Sequence, residues 1–418
     1  MKKFRVKHGM IRLNEKLRGF IYKGLKWFLL GSAVGFLSGS AATLFLVLLD
    51  KATQIRIAHP TLIIGLPIAG FFVGYLYYRH GKDVAGGNNL ILEEIHNPKN
   101  TIPFRMAPLV LLGTVMTHLF GGSAGREGTA VQMGASLADQ LSKYFKLQAQ
   151  DRRDLLILGL GSGFGAAVGA PWAGTVFGIE VIRSGHFKLP IFAKSLIASF
   201  VAYQTTHLFH APHTVYPRLE AVQLSIQNLV IVLVSGLIFG LTARLFSELT
   251  HQIEKLETRF ISFPPFKPFI AGIILVLLFN LEGSYRYVGL GIKVIQESFS
   301  ELLSWKDPLF KILFTSLTVA SGFKGGEFIP LVFIGSTLGS VLSQYVPLPK
   351  GLLTSVGFSS VFAAASNTPI ACSLMAIELL GWNVGPYVLI GCFVAYFVSG
   401  HRGIYKNQPK RSKKIKIF

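Results

Sequence analysis

Charge is the scarcest ingredient of this 418-residue sequence: 15% of its residues are Asp, Glu, Lys or Arg, against 51% that are hydrophobic. Soluble proteins carry about 25% charged residues, so the deficit excludes one or two ordinary soluble domains. The missing charge leaves long uncharged runs at 27–49, 57–78, 106–125, 155–179, 221–243, 328–349, 351–377 and 379–401. Most have the roughly 20 apolar residues that a helix needs to cross a hydrocarbon core. A lipid-embedded backbone must satisfy its own polar groups, and a helix does so within one segment. The sequence therefore reads as an all-α polytopic membrane protein.

Cysteine is almost absent as well. Cys372 and Cys392 both lie in uncharged apolar runs, far from any Cys/His ligand spacing, so neither a disulfide framework nor a zinc site is implied. The phosphate-binding form G-x-x-x-x-G-K-[ST] and the zinc-protease form H-E-x-x-H are missing. No nucleophile or metal set supports an enzyme, and no cofactor is implied. Gly161-Ser-Gly163-Phe-Gly-Ala166 fits a loose dinucleotide-loop pattern. It follows an apolar helical run rather than a strand and reads as helix packing. His207, His210 and His213 could bring two rings to one helix face as metal ligands. Pro212 disfavours a helix there, and no carboxylate or Cys completes the set.

Acidic residues number 20 against 41 basic ones, a net charge of +21. Nucleic acid is the usual partner of such an excess, but its placement argues otherwise. Residues 1–26 carry nine Lys/Arg and one acid, and residues 401–418 carry seven Lys/Arg and none. Both clusters flank apolar spans, where the positive-inside rule puts them in the cytoplasm beside anionic lipid. Both termini inside means an even number of crossings, and nucleic-acid binding is set aside. Residues 1–26 also look like the start of a signal peptide, yet the apolar run that follows is too long and lacks a clear small-residue cleavage site. They read as a basic amphipathic lead to a retained first helix.

Glycine is plentiful, with 44 residues, many inside the apolar runs. That suits close helix packing in lipid and also broken helices. Two motif pairs recur at nearly one offset. Gly125-Arg-Glu127-Gly-Thr129 is echoed 200 residues on by Gly325-Gly-Glu327-Phe-Ile-Pro330, and Ala170-Pro171 through Glu180 is echoed 198 residues on by Thr368-Pro369 through Glu378. Matched Gly/Pro-interrupted segments in two halves indicate a transporter whose site lies between the repeats. The expected organisation is a lead at 1–26, a first membrane half at 27–209, a connecting loop at 210–220, a second half at 221–400 and a basic tail at 401–418. The polar stretch 251–268, ending in Pro264-Pro265, reads as a turn between helices.

Glu127 and Glu327 are acids in otherwise apolar sequence, which makes them functional candidates by default. Glycines beside Glu127 let consecutive N–H groups at a helix start face a cavity and bind an anion. Its carboxylate can occupy that anion site when ionised and leave it when protonated, a physical route to exchanging an anion for a proton. Pairing of Glu127 with Arg126 is the weaker reading, because neighbours on a helix do not face each other. Pro330 suits a first helical turn after the Gly-Gly break, and Glu327 beside an anion must be neutral, paired or a proton carrier. A third break, Gly86-Gly87-Asn88-Asn89, carries Asn88. Spacing alone favours Asn88 as a helix cap over an anion ligand.

These motifs, in order over about residues 27–405, resemble the CLC family of chloride channels and chloride/proton antiporters. The resemblance implies two inverted halves of tilted, partly broken helices, assembled as a homodimer with one pathway per subunit. It implies that Glu127 is the gating glutamate and that the hydroxyl of Tyr405 serves the central anion site. Backbone amides of Glu327 and Phe328 would line that central site, and those of Arg126, Gly128 and Ile329 the outer one. Departures from the chloride pattern are specific: Asn88 stands at the central serine, Val181 at the inner proton glutamate, Thr129 after the gate, and Glu327 where chloride members are apolar. Together they resemble the bacterial fluoride/proton antiporter branch. A chloride or broad-anion transporter or channel is the alternative. Fluoride, protons, membrane lipid and a second copy of the chain are the implied partners, and the bacterial inner membrane is the implied location.

Overall fold

A computed structural model describes residues 2–182, 188–220, 222–400 and 403–408, with side chains described from residue 21 onward and at 18 and 19. The first half comprises α1 (Lys2–Ala58), α2 (Leu66–His80), α3 (Asn88–His96), α4 (Met106–Leu119), α5 (Glu127–Tyr144), α6 (Ala149–Val168), α7 (Pro171–Glu180) and α8 (Leu189–Leu208). The second comprises α9 (Ile226–Phe260), α10 (Phe266–Glu282), α11 (Ile292–Glu297), α12 (Lys306–Ala320), α13 (Phe328–Leu342), α14 (Lys350–Ser366), α15 (Pro369–Leu380) and α16 (Gly385–Val398). The basic lead is continuous with α1, and the lysine- and arginine-rich tail beyond residue 408 lies outside the described residues. Among the described residues the only β-pairing is a single bridge between Gly125 and Gly326.

Several uncharged runs prove to be two helices or one short one. Among the described residues only Ile21–Ala58, Pro60–His80 and Ile226–Phe260 are both long and apolar enough to cross a membrane. The run at 155–179 is split because Gly169 turns left-handed (φ +82°) at the end of α6, and Pro171 then opens α7 at a position that needs no N–H. The second half repeats the device with Asn367 (φ +60°) after α14 and Pro369 opening α15. One reading needs correction. The stretch 251–260 is not a turn, because α9 continues to Phe260 and its polar residues form the helix's charged extension. The turn is confined to 261–265.

Packing follows the same internal symmetry. Gly134 of α5 and Gly159 of α6 each lie against the other's carbonyl, and Gly335 of α13 and Gly357 of α14 do likewise, so a methyl group at any of the four would collide with backbone. The repeated proline segments also hold one another. Glu180 accepts from Ile370 N at 3.1 Å and Ala371 N at 2.8 Å at the start of α15, while Glu378 accepts from Trp172 N at 3.0 Å and Ala173 N at 2.8 Å at the start of α7. Each half thus caps a helix of the other with a carboxylate at its positive end. Phe164 and Phe362, equivalent positions in the two halves, stack with centroids 6.3 Å apart at the junction.

An ion network fixes α3 to the rest. Arg152 of α6 donates to Asp139 at 2.7 and 2.8 Å, to Glu94 at 3.2 Å and to Asn100 O at 2.7 Å. Asp139 also accepts from Ile102 N at 2.8 Å, and Glu94 from Lys99 N at 2.9 Å. Asp139 and Glu94 are 0% and 5% exposed, so removing their shared cation leaves buried charge unpaired. Arg152→Met is expected to destabilise the fold by about 3–5 kcal/mol, read as a lowered thermal midpoint in detergent. A midpoint within a degree or two of wild type would remove the network from the account.

Candidate functional site

Three helix starts converge where the glycine-rich breaks meet. Gly125 N–H donates to Gly326 O at 2.5 Å and Gly326 N–H to Gly125 O at 2.8 Å, tying the break before α5 to the break before α13. Gly128 approaches Gly326 so closely that a Cβ on Gly326 would sit 2.7 Å from Gly128 N. The start of α3 completes the cluster: the Asn88 Nδ2 atom is 3.3 Å from where a Cβ on Gly128 would be. Gly87, the residue before α3, has φ +54°, a conformation open to glycine at little cost. The structure thus brings Asn88, Arg126, Glu127, Gly128, Glu327, Phe328 and Ile329 to one place.

The amides of Glu127, Gly128, Phe328 and Ile329 are first-turn groups that donate to no backbone carbonyl. Such first-turn N–H groups carry the positive end of their helix and suit a small anion; that of Glu127 is already taken by its own carboxylate. Arg126 N differs, since it already donates to Glu127 Oε2 at 3.2 Å. Arg126 Nε adds a contact to Oε1 at 3.3 Å, so the pair rejected on helix geometry does form. The reason is that Arg126 is the N-cap, outside the helical turn where the neighbour rule applies. Arg126 also reaches Thr214 Oγ1 at 3.1 Å, fastening the connecting loop over the site. Glu127 is 1% exposed, with its carboxylate folded onto the start of its own helix.

Glu327 is the N-cap of α13 and half-buried; among the described residues its carboxylate forms no ion pair and bonds only its own backbone N–H. Phe328 turns away from the site into a ring cluster, 4.7 Å from Phe362 and 5.4 Å from Phe164, and Ile329 is core. They offer amides rather than side chains. Asn88 does not cap α3: Gly87 is the N-cap and Asn88 the first helical residue, whose buried Oδ1 has no partner among the described residues. Thr129, where the resemblance places a proline, shares a hydrogen with Thr114 of α4 at 2.7 Å.

Tyr405 lies past the end of α16, with Glu327, Cys372 and Glu127 among its electrostatic neighbours. It also lines a 640 Å³ vestibule with Glu248, His251, Lys255 and Arg259 of α9. The segment after it is stapled in place. Lys406 pairs with Glu254 at 2.5 Å, Asn407 Nδ2 donates to Asn89 O at 3.0 Å, and Gln408 Nε2 donates to Val181 O at 2.9 Å and Ser366 O at 2.7 Å. Val181, where the resemblance places an absent inner glutamate, is therefore covered by Gln408. Sequence reading missed this staple and the buried His118, whose Nε2 lies 3.4 Å from Gly125 O while its Nδ1 has no partner. It missed Gln132 too, although Gln132 shares a helix face with Gly128 four residues earlier.

Two decoys resolve into packing. Gly121-Gly122-Ser123-Ala124-Gly125 has the G-x-S-x-G spacing of a hydrolase nucleophile, contrary to the expectation that no such set is present. Ser123 is fully buried and bonds Thr315 Oγ1 at 2.9 Å and Thr318 Oγ1 at 3.2 Å, between helices and with no preceding strand. His213 Nε2 contacts Ala166 O at 2.8 Å and its ring sits 6.0 Å from that of His207, with no cluster of three His, Cys, Asp or Glu suited to a metal among the described residues.

Comparison with known proteins gives a consistent result. A chloride/fluoride channel protein of Pseudomonas syringae pv. tomato is 44% identical over 389 residues, 92% of this chain and 86% of its own. An H(+)/Cl(-) exchange transporter, ClcA, of Vibrio vulnificus is 25% identical over 92% of this chain and 89% of its own. Among solved structures, a CLC-type fluoride/proton antiporter superposes with a TM-score of 0.89 at 35% identity, covering 93% of this chain and 98% of that one. A slow cyanobacterial Cl-/H+ antiporter shares the fold at a TM-score of 0.81 and 20% identity. The model of the voltage gated chloride channel family matches residues 69–400, and with two inverted halves meeting at paired helix breaks the chain belongs to that family, the CLC family of membrane ion channels and transporters.

Proposed function

We propose that the protein exports fluoride across the bacterial inner membrane in exchange for protons, conferring fluoride resistance, with both termini cytoplasmic and two copies forming a homodimer with one pathway each. One observation carries the ion chemistry: two carboxylates, Glu127 and Glu327, flank the Gly125–Gly326 bridge at helix starts whose first-turn amides donate to no backbone carbonyl among the described residues. The similarity to a chloride/fluoride channel protein and to a fluoride/proton antiporter supports the substrate. Pairing of subunits rests on the family resemblance, and the orientation on the basic ends.

The arrangement works as a competition. Ionised, Glu127 lies on the α5 start and is held by Arg126 N and Nε; protonated, it loses most of that attraction and leaves the amides of Gly128 and its neighbours to an anion. Glu327, half-buried and bonded among the described residues only to its own backbone, is placed to pass a proton where Val181 cannot. Fluoride is small and strongly hydrated, so its entry requires short, strong donors in place of water. The Asn88 amide, the first-turn N–H groups and the Tyr405 hydroxyl are those donors.

Reconstituted liposomes loaded with fluoride or chloride test the substrate. Fluoride efflux, followed with an ion-selective electrode, is expected to exceed chloride efflux at least about tenfold, and Asn88→Ser to reduce that preference by about tenfold, the equivalent of one charge-assisted hydrogen bond. Equal fluoride and chloride rates in wild type, or an unchanged preference in Asn88→Ser, would favour a broad-anion transporter instead.

A further inference from the structure

Gln132 is a polar residue on the site-facing side of α5 that the mechanism above leaves unused. It is four residues from Gly128 and so lies on the same face, one turn deeper. Its amide rests on the break before α3: a Cβ on Gly87 would lie 3.2 Å from Gln132 Nε2 and 3.3 Å from both Cδ and Oε1. The side chain of Gln132 is half-buried and forms no hydrogen bond among the described residues.

Its neighbour across the same contact is Asn88. The Nδ2 atom of Asn88 faces Gly128, while its Oδ1 is buried and has no partner. Residues 87 and 88 of the α3 start therefore face residues 132 and 128 of α5, and the junction holds one acceptor without a donor beside one amide without an acceptor. Burying an unsatisfied amide oxygen is costly, and the simplest remedy is local. Other polar groups near the junction are committed: Thr129 to Thr114, and the Asn89 carbonyl to Asn407.

We propose that Gln132 is a positioning residue for anion selectivity, donating from Nε2 to Asn88 Oδ1 and so holding both Nδ2 hydrogens of Asn88 toward the anion. An Asn side chain alone presents its oxygen and nitrogen to the site with equal ease, and the oxygen repels an anion. A donor fixed on Oδ1 removes that ambiguity. The benefit is greatest for an anion that demands short hydrogen bonds, so Gln132 acts on the preference for fluoride over chloride. This inference rests on the fluoride/proton reading and deepens it.

The test is a double-mutant cycle in liposomes, reading the fluoride-to-chloride efflux ratio of wild type, Gln132→Met, Asn88→Ala and the double variant. Gln132→Met keeps the length of the side chain; Gln132→Glu, which keeps the shape and loses the donor, serves if the Met variant fails to purify as a single species. The ratio is expected to fall about tenfold in the Gln132 variant, at least as far in Asn88→Ala, and no further in the double variant. Three results would overturn the inference alone: an unchanged ratio, equal loss of fluoride and chloride efflux, or losses of ratio that multiply in the double variant. Wild-type protein that moves chloride and no fluoride would overturn the transport reading itself and this inference with it.

Discussion

Glu127→Gln is expected to reduce fluoride-driven proton movement by at least roughly 100-fold, to the background of empty liposomes, in protein that still purifies as a single folded species. Gln keeps the shape of Glu and can still sit at the start of α5, so packing around a residue that is 1% exposed is preserved. What it loses is the exchangeable proton and the charge. The carboxylate of Glu127 is the group gripped by Arg126 N and Arg126 Nε, and an amide offers those donors one neutral oxygen. The competition between side chain and anion is then no longer set by protonation. A pH-sensitive dye inside the liposomes reads the result, and coupling retained in Glu127→Gln would remove this residue from the mechanism.

Gly326→Ala is expected to lower fluoride efflux by a comparable factor through a different cause. The added methyl would sit 2.7 Å from Gly128 N and 3.3 Å from Gly128 Cα, both backbone atoms of α5 that cannot rotate away. It would push apart the two helix starts that the Gly125–Gly326 bridge holds together, and it would stand in front of an amide assigned to the anion. Overpacking of this kind costs about 1–3 kcal/mol, which the fold can bear while transport is lost. Gly24→Ala, whose added methyl meets nothing within 4 Å, is the matched control. Full fluoride efflux in Gly326→Ala would mean that the space between Gly128 and Gly326 is not the ion's route.

The broad architecture was legible because lipid imposes simple constraints. Eight charge-free runs announced a helical membrane protein, and two motif pairs at offsets of 200 and 198 announced two halves. What those pairs do to one another was hidden. That Glu180 caps α15 while Glu378 caps α7, and that Gly125 bonds Gly326, are contacts between halves, and spacing along one chain carries no information on them. Helix lengths were misjudged where Gly169 and Asn367 adopt left-handed turns inside apolar sequence, since hydropathy does not register a turn.

At the site, the acids stood out from the residues themselves, whereas the roles of the backbone amides came only from the family resemblance. A lone carboxylate in apolar sequence stands out, whereas Gln132 is unremarkable in the more polar sequence of α5, and its meaning comes only from lying against Gly87. The Arg126–Glu127 contact escaped because a rule for helical neighbours was applied to a residue one step outside the helix. Spacing alone made Asn88 a helix cap, but Gly87 holds the cap position and the Asn88 oxygen is left without a partner among the described residues.

Obligatory exchange of fluoride for protons is what the paired carboxylates and helix starts are proposed to achieve. The most direct measurement places wild-type protein in liposomes with fluoride concentrated inside, equal pH on both sides and membrane voltage clamped by potassium and valinomycin, with internal pH followed by a dye. Outward fluoride flow is predicted to acidify the interior, driving protons uphill until the fluoride gradient is spent. Fluoride leaving at the same rate with internal pH unchanged would contradict the claim and leave a passive anion channel.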